Sequence, residues 1–141
     1  MSTGVVRVAR WHDDNRALRM IREAVFIHEQ GVPAALEWDE FDATCMHLLA
    51  TDSSGKPIGT ARLLPNGSIG RMAVLAEWRN KGVGTALMQR LLEEARNRQI
   101  RQVILNAQTH ATGFYGKFGF QPVGKEFIEA EITHVRMVLR L

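Results

Sequence analysis

The feature that most constrains the fold of this chain is a long amphipathic segment that lies between two short apolar runs. Apolar residues recur at helical spacing from Val83 to Ala95, which predicts a helix from about Gly82 to Arg98. The runs Ser68–Val74 before it and Val103–Ala107 after it have the length and composition of strands. Because a helix of this length can cross over a sheet, the two strands are predicted to be parallel.

Two further strand-like runs, Met46–Thr51 and Ile58–Leu64, precede this unit. Pro65-Asn66-Gly67 then separates the second run from the strand at 68–74. Asn-Gly between two apolar runs is a strong hairpin signal, so these three strands are predicted to form an antiparallel meander. The combination predicts an α/β fold with a mixed, mostly antiparallel sheet, a central parallel strand pair and flanking helices.

The two ends of the chain complete this pattern. A strand over Val5–Ala9 is followed by a helix that should end near Gly31-Val32-Pro33, where glycine can cap it and proline blocks its continuation. The elements predicted after residue 107 are a short helix and two closing strands: Ala111–Phe118, Phe120–Val123 and His134–Arg140. With 141 residues, the chain is expected to form one domain over residues 1–141.

Charge and cysteine content narrow the functional classes. The net charge of +3 is spread along the chain, and basic and aromatic residues do not cluster as nucleic-acid binding would require. Cys45 is the single cysteine, so no internal disulfide is expected, and no metal site is predicted. The start of the chain lacks signal-peptide features and no run reaches membrane-spanning length. We therefore expect a cytoplasmic protein that binds neither membrane nor nucleic acid.

The turn Arg79-Asn80-Lys81-Gly82-Val83-Gly84 stands between the predicted strand at 68–74 and the long helix. Its glycines leave backbone N–H groups uncovered, and the unpaired N–H groups of a first helical turn attract anions. The pattern lacks the third glycine of a dinucleotide fingerprint and the Gly-Lys-Ser/Thr of a P-loop. A phosphate site is predicted here.

Two ordered motifs resemble those of the GNAT superfamily of N-acetyltransferases. Arg-x-x-Gly-x-Gly at 79–84 is similar to its acetyl-CoA motif, and Phe114-Tyr115-Gly116-Lys117-Phe118-Gly119-Phe120 resembles its Phe-Tyr-x-Lys-x-Gly-Phe segment. Residues 21–30 and Leu105-Asn106-Ala107-Gln108 are further similar to a small bacterial single-domain branch. The resemblance covers nearly the whole chain and implies the GNAT fold and the use of acetyl-CoA.

The resemblance also implies a set of cofactor contacts. Backbone groups of β-strand 68–74 would pair with pantetheine, the turn would hold the pyrophosphate, Asn106 could reach the pantetheine arm, and Tyr115 would point its hydroxyl at the departing sulfur. A main-chain N–H of Ala73 or Val74 is a plausible oxyanion donor. The predicted cofactor-binding residues are Met72, Ala73, Val74, Arg79, Asn80, Lys81, Gly82, Val83, Gly84, Thr85, Asn106 and Tyr115.

The general base is harder to assign, because no acidic residue occurs between Asp52 and Glu77, where many family members carry a glutamate. Either a water chain carries the proton, or a group from another segment does. His134 and Glu129 rank first, since they flank the start of the last strand, which lines the acceptor cleft in GNAT folds. With Tyr115 they form the predicted catalytic set. The other candidates are Glu29, the acids at 37–42, His47 and His110.

The acceptor is predicted to be a primary amine on a small molecule or peptide. The loop 37–42 holds four acids with Trp38 and Phe41 between them, and acids and aromatic faces attract ammonium groups. A cationic acceptor is therefore the hypothesis, and its predicted ligands are Glu29, Glu37, Trp38, Asp39 and His47. The alternative function is a non-catalytic CoA-binding regulatory module. The final strand, His134–Arg140, is predicted to be an exposed edge that could pair across a homodimer.

Overall fold

The computed structural model describes residues 4–141. A first helix runs on directly as a π-helix, and short 3₁₀ turns lie at Glu40–Ala43, Ala76–Trp78 and Thr109–Ala111. In chain order the strands and α-helices are β1 (Val5–Ala9), α1 (Trp11–Arg22) with its π-helical extension (Glu23–Glu29), α2 (Ala34–Glu37), β2 (Met46–Thr51), β3 (Pro57–Leu63), β4 (Ile69–Val74), α3 (Val83–Asn97), β5 (Gln102–Gln108), α4 (Thr112–Gly116), β6 (Gln121–Glu129) and β7 (Ile132–Arg140).

The strands form two antiparallel sheets, ordered β1-β2-β3-β4 and β5-β7-β6. β4 and β5 run parallel, as predicted, but they meet only at a bridge between Ser68 and Ile104. There the Ile104 N–H donates to Gly67 O over 3.0 Å. Beyond this bridge no pairing joins β4 to β5 within residues 4–141. The two sheets therefore separate toward the ends of β4 and β5 and leave a gap between them.

Gly67 allows the two sheets to meet at the bridge. Its φ of +93° suits glycine, and a Cβ at this position would lie 2.3 Å from Gln102 O at the start of β5. The Asn-Gly turn therefore closes the β3–β4 hairpin and also lets β5 approach it. The predicted meander over β2, β3 and β4 is confirmed.

α3 supplies the main core. Its apolar stripe, which includes Leu87 and Leu91, is fully buried against one face of both sheets. A second, smaller core forms where Leu18 and Ile21 of α1 pack on the opposite face of β1–β4. Helices pack against both faces of the β1–β4 sheet, and a parallel bridge links this sheet to the second antiparallel sheet, so the predicted α/β fold class is confirmed.

The last hairpin differs from the prediction. β6 extends to Glu129, and Ala130 and Glu131, both at positive φ, form a tight turn into β7. β7 lies between β5 and β6, so both of its edges are paired. The prediction that the final strand is an exposed edge is wrong, because β6 and not β7 borders this sheet.

Candidate active site

The backbone N–H and C=O of Val74, one of the two predicted oxyanion donors of β4, face the gap. The Leu75 N–H donates to Ile58 O over 2.9 Å, which makes Ile58 and Leu75 a hydrogen-bonded pair of the β3–β4 ladder. Because such pairs alternate along an antiparallel ladder, Ala73 directs its N–H at β3 while Val74 directs its N–H and C=O toward β5. Of the two predicted oxyanion donors, Val74 has the suitable orientation and Ala73 does not.

A bulge in β4 precedes this position. The β3–β4 register shifts between Thr60 and Arg62, and Arg71 takes a φ of +50°. Bulges redirect the backbone of a strand and are common beside active sites. The half-buried Met72 lies at this bulge, next to the gap.

The turn at 79–85 has the properties predicted for an anion site. Gly82 caps α3 with φ +87°, no side chain caps this helix within the described chain, and the space beside Gly82 is open. The first-turn N–H groups of Val83, Gly84 and Thr85 therefore remain available at the positive end of a fifteen-residue helix. Asn80, at φ +61°, and the exposed Lys81 lead into the turn. These residues fit a pyrophosphate group.

Gly84 serves packing as well. A Cβ at Gly84 would lie 3.4 Å from the Phe114 ring, so the missing side chain lets α4 approach the first turn of α3. The two sequence motifs, 79–84 and 114–120, are thereby brought into contact.

Tyr115 lies beside this contact on the α3 face of the β5–β7–β6 sheet. Its ring packs edge-on against Phe114 at 5.2 Å and against Phe120 at 6.1 Å. Burial raises the pKa of Tyr115 to about 12, so the hydroxyl keeps its proton at neutral pH. Within residues 4–141 the hydroxyl has no hydrogen-bond partner, which leaves its proton available.

His134 lies on the opposite face of the same sheet. Its neighbours along β7, Val135 and Met137, alternate with it and point into the α3 core. Its Nδ1 donates to Ile132 O over 2.7 Å, so in the neutral ring Nε2 carries the lone pair. Phe127 stacks on the imidazole at 5.8 Å, and His134 as a whole is 7% exposed.

Glu129 and Gln108 border His134. Glu129 places Oε2 3.9 Å from His134 Nε2 but is itself exposed, and Gln108 is the β5 residue opposite His134. His110 donates its Nε2–H to Gln108 Oε1 over 2.7 Å. The structure therefore groups three of the titratable candidates, His134, Glu129 and His110, at one end of the gap.

Asn106 is exposed on the same face of β5 as Gln108, while Leu105 and Ala107 turn into the core. This face is opposite the one that carries Tyr115. The contact of Asn106 with the pantetheine arm therefore stays a prediction.

The acidic loop does not form an open cation site. Glu37 is 3% exposed and accepts a hydrogen bond of 2.7 Å from Arg22 Nε. The Asp39 carboxylate accepts hydrogen bonds of 2.7 Å from both Nη atoms of Arg62. Asp42 joins the same cluster through Arg22 and Arg62. The Arg62 guanidinium beside Asp39 holds the pKa of that carboxyl below its ordinary value. The interpretation of these acids as ligands for a cationic acceptor is wrong, because the chain supplies their counter-ions.

Trp38 and His47 are likewise engaged inside the protein. The guanidinium groups of Arg19 and Arg22 lie 5.0 and 4.9 Å from the Trp38 ring centroid. His47 is 1% exposed, stacks on Trp11 at 5.0 Å, and donates from Nε2 to Asp42 O over 2.7 Å. The burial of His47 argues against its predicted substrate-binding role, whereas that of the half-buried Trp38 stays a prediction.

Glu29 is at the end of the π-helix and pairs with Arg79 of the turn at 79–85, Oε1 accepting from Nη2 over 2.7 Å. The sequence predicts a ligand for each of these two residues but not that they bind each other. Sequence reasoning also missed Arg71, which pairs with Glu37 and Asp39. No local signal identifies these pairs, because no Arg or Lys lies between Arg22 and Lys56 in the sequence.

A family model described as "Acetyltransferase (GNAT) domain" matches residues 11–141. The uncharacterized N-acetyltransferase YjcF of Bacillus subtilis is 38% identical over 122 residues, which cover 84% of this chain and 86% of that protein.

Two crystal structures share the fold at comparable identity. An acyl-CoA N-acyltransferase from Pseudomonas aeruginosa has a TM-score of 0.84 at 31% identity over 95% of this chain and 98% of its own. Escherichia coli ElaA has a TM-score of 0.85 at 30% identity with the same coverage, 95% and 98%. None of the helices described in residues 4–141 combines the length and apolar character that crossing a membrane demands. By sequence match and by fold, this chain belongs to the GNAT family of acetyltransferases.

Proposed function

We propose that this protein transfers the acetyl group of acetyl-CoA to a primary amine by direct attack in a ternary complex. The observation that carries the proposal is the position of the β4–β5 gap. The anion-binding turn and Tyr115 lie on its α3 side, and His134 lies on the opposite face of the neighbouring sheet. A donor and an acceptor that enter from opposite faces would meet in this gap. A cytoplasmic location is part of the same proposal.

The first step is to hold the donor. The N–H groups of Val83, Gly84 and Thr85, with the exposed Lys81 nearby, would hold the pyrophosphate. Val74 directs one N–H and one C=O toward the gap, so a pantetheine amide could pair there like an added strand. Bound in this way, acetyl-CoA supplies an activated acyl group.

The second step is to stabilise charge at the carbonyl. The Val74 N–H points toward the gap, and the hydrogen bonds between β3 and β4 on either side of Val74 fix its orientation. A fixed donor of this kind contributes about 10²- to 10³-fold in rate where an oxyanion develops. Orientation of the two reactants lowers the barrier further, by several kcal/mol.

The third step is proton movement. The Nδ1–H bond to Ile132 O leaves His134 Nε2 able to take a proton, directly or through water, from the acceptor's ammonium before attack or from the amine nitrogen as it attacks. Tyr115 retains its hydroxyl proton and can donate it to the departing thiolate, after which water returns a proton to Tyr115. The two groups have opposite tasks and lie on opposite faces of the sheet.

His134→Gln tests the base. We expect kcat/KM to fall about 10²-fold or more, since general-base catalysis typically contributes 10²- to 10⁴-fold. Glu129→Gln is the matched control at the exposed neighbour, and its effect should be several times smaller. An unchanged kcat/KM in His134→Gln would assign the proton to a water chain.

The proposed reaction is tested by thiol release from acetyl-CoA against a panel of small amines, aminosugars, polyamines and peptides, with calorimetry of acetyl-CoA alone. We expect binding in the micromolar range typical of KM values and amine-dependent thiol release. Binding without release for any amine would support the regulatory module instead. Absence of binding would reject the proposal altogether.

A further inference from the structure

The end of the π-helix contacts both sides of the β4–β5 gap. Glu29, its last residue, binds Arg79 in the turn that follows β4. Gln30, the next residue, binds Gln108, the last residue of β5. Two consecutive residues therefore fasten two segments that no strand pairing holds together at this end.

The Arg79 guanidinium is occupied by the protein itself. Nη1 and Nη2 form a two-pronged bond with the Glu29 carboxylate, and Nε donates to Val74 O over 3.0 Å. A planar guanidinium bonded through all three nitrogens has a fixed orientation. Arg79 thus connects the π-helix, the turn and the cleft-facing residue of β4.

The Gln30–Gln108 contact provides the second attachment. Gln108 Nε2 donates to Gln30 Oε1 over 2.8 Å, and a longer return contact of 3.5 Å joins Gln30 Nε2 to Gln108 Oε1. His110 donates to the same Gln108 oxygen, which restrains the amide further. The amide pair lies beside His134, the register partner of Gln108.

We propose that Glu29, Gln30, Arg79 and Gln108 form a clamp across the gap. In this inference, which rests on the proposed function, Arg79 and Glu29 are positioning residues: they hold the turn 79–85 and the Val74 carbonyl in the geometry that binds acetyl-CoA. The Arg79 side chain is then not a pyrophosphate ligand. The same clamp connects the donor turn to the strand end that borders His134.

The competing interpretation is that Glu29 merely restrains an arginine whose ligand is the pyrophosphate. The two interpretations predict opposite effects of Glu29→Gln. If Arg79 is a pyrophosphate ligand, Glu29→Gln frees its guanidinium and acetyl-CoA binds more tightly. If Arg79 is a positioning residue, Glu29→Gln loosens the turn 79–85 and acetyl-CoA binds more weakly.

The experiment is calorimetry of acetyl-CoA with Glu29→Gln and Arg79→Lys. We expect both variants to raise the Kd of acetyl-CoA about three- to tenfold. A tenfold increase corresponds to a loss of about 1.4 kcal/mol of binding free energy. Arg79→Lys is informative because lysine keeps the charge but loses the fork and the bond to Val74 O. Amide hydrogen exchange at residues 79–85 should accelerate in both variants.

Asp14→Asn is the matched control, because Asp14 forms a similar two-pronged pair with Arg7, at 2.8 and 3.1 Å, on β1 and α1. It should leave the Kd of acetyl-CoA unchanged. Tighter binding by Glu29→Gln, or wild-type affinity in both clamp variants, would overturn the clamp. Because the readout is binding, a wild-type protein that binds acetyl-CoA but acetylates no amine would reject the proposed function and leave the clamp standing.

Discussion

Arg22→Gln is expected to lower the free energy of unfolding by about 3–5 kcal/mol, as is typical when one partner of a buried ion pair is removed. Arg22 is 1% exposed and bonds Glu37 Oε2 at 2.7 Å, Asp42 Oδ1 at 2.8 Å and Glu37 O at 2.8 Å. A glutamine is too short to reach all three acceptors and carries no charge. Two buried carboxylates would lose their main counter-ion.

Urea unfolding followed by circular dichroism measures this loss. Domains of this size have a total stability of about 5–15 kcal/mol, so the variant should unfold at much lower urea or fail to fold. Arg19→Gln is the matched control, since Arg19 is an exposed arginine on the same helix whose contacts are the Trp11 and Trp38 rings. Its effect should stay below about 1 kcal/mol. Equal effects of the two substitutions would contradict the buried-cluster argument.

Two carboxylates of the cluster, Asp39 and Asp42, give the stability a dependence on pH, whereas burial raises the pKa of the third, Glu37. Arg62 lowers the pKa of Asp39 below its ordinary 3.8; for Asp42, burial raises the pKa but the Arg22 bond and charge outweigh it. The pKa values of Asp39 and Asp42 are lower in the folded protein than in the unfolded chain, so these two carboxylates stabilise the fold above pH 3.8. This stabilisation is lost as the pH falls through their folded-state pKa values. Arg22→Gln should therefore remove the part of this acid sensitivity that comes from Asp42 and leave the part from Asp39.

Tyr115→Phe is expected to lower kcat about 10²-fold or more, the usual contribution of a positioned general acid, with acetyl-CoA affinity within about twofold of wild type. The substitution removes only the hydroxyl, so the edge-on packing against Phe114 and Phe120 is retained. Since burial raises the pKa of Tyr115 to about 12, its deprotonation should not limit the rate at any pH below about 11.

Pre-steady-state and steady-state thiol release, with calorimetry of acetyl-CoA, separate the effects on chemistry and binding. An unchanged unfolding midpoint would show that the substitution is not merely structural. A variant with wild-type kcat would remove Tyr115 from the mechanism and leave thiolate protonation to water.

Local signals in the sequence predicted much of the fold and part of the candidate site. The Asn66-Gly67 hairpin, the apolar stripe of α3 and the Gly82 turn are each specified by a few neighbouring residues. His134 and Glu129 were chosen for their shared position at the start of the last strand, and the structure places His134 Nε2 3.9 Å from Glu129 Oε2.

The acidic loop was misread because its partners are distant in the chain. Glu37 is 15 residues from Arg22, and Asp39 is 23 residues from Arg62. Composition alone does not distinguish an acid that awaits a ligand from one that is paired inside the fold. The position of β7 was missed for a related reason, since the order of strands in a sheet depends on non-local pairing.

The sequence by itself determined most of the elements, the glycine turn before α3 and the family, because periodicity, turn residues and short motifs are local properties. Only the tertiary structure decided which charges remain available. Burial makes an unpaired carboxylate or guanidinium costly, so Arg22, Arg62 and Arg71 neutralise the loop acids. Glu29 and Arg79, which are 50 residues apart in the chain, meet at the surface because the fold brings the π-helix to the turn. The gap between β4 and β5, and the placement of Tyr115 and His134 on opposite faces beside it, likewise follow from how the two sheets separate after a single bridge.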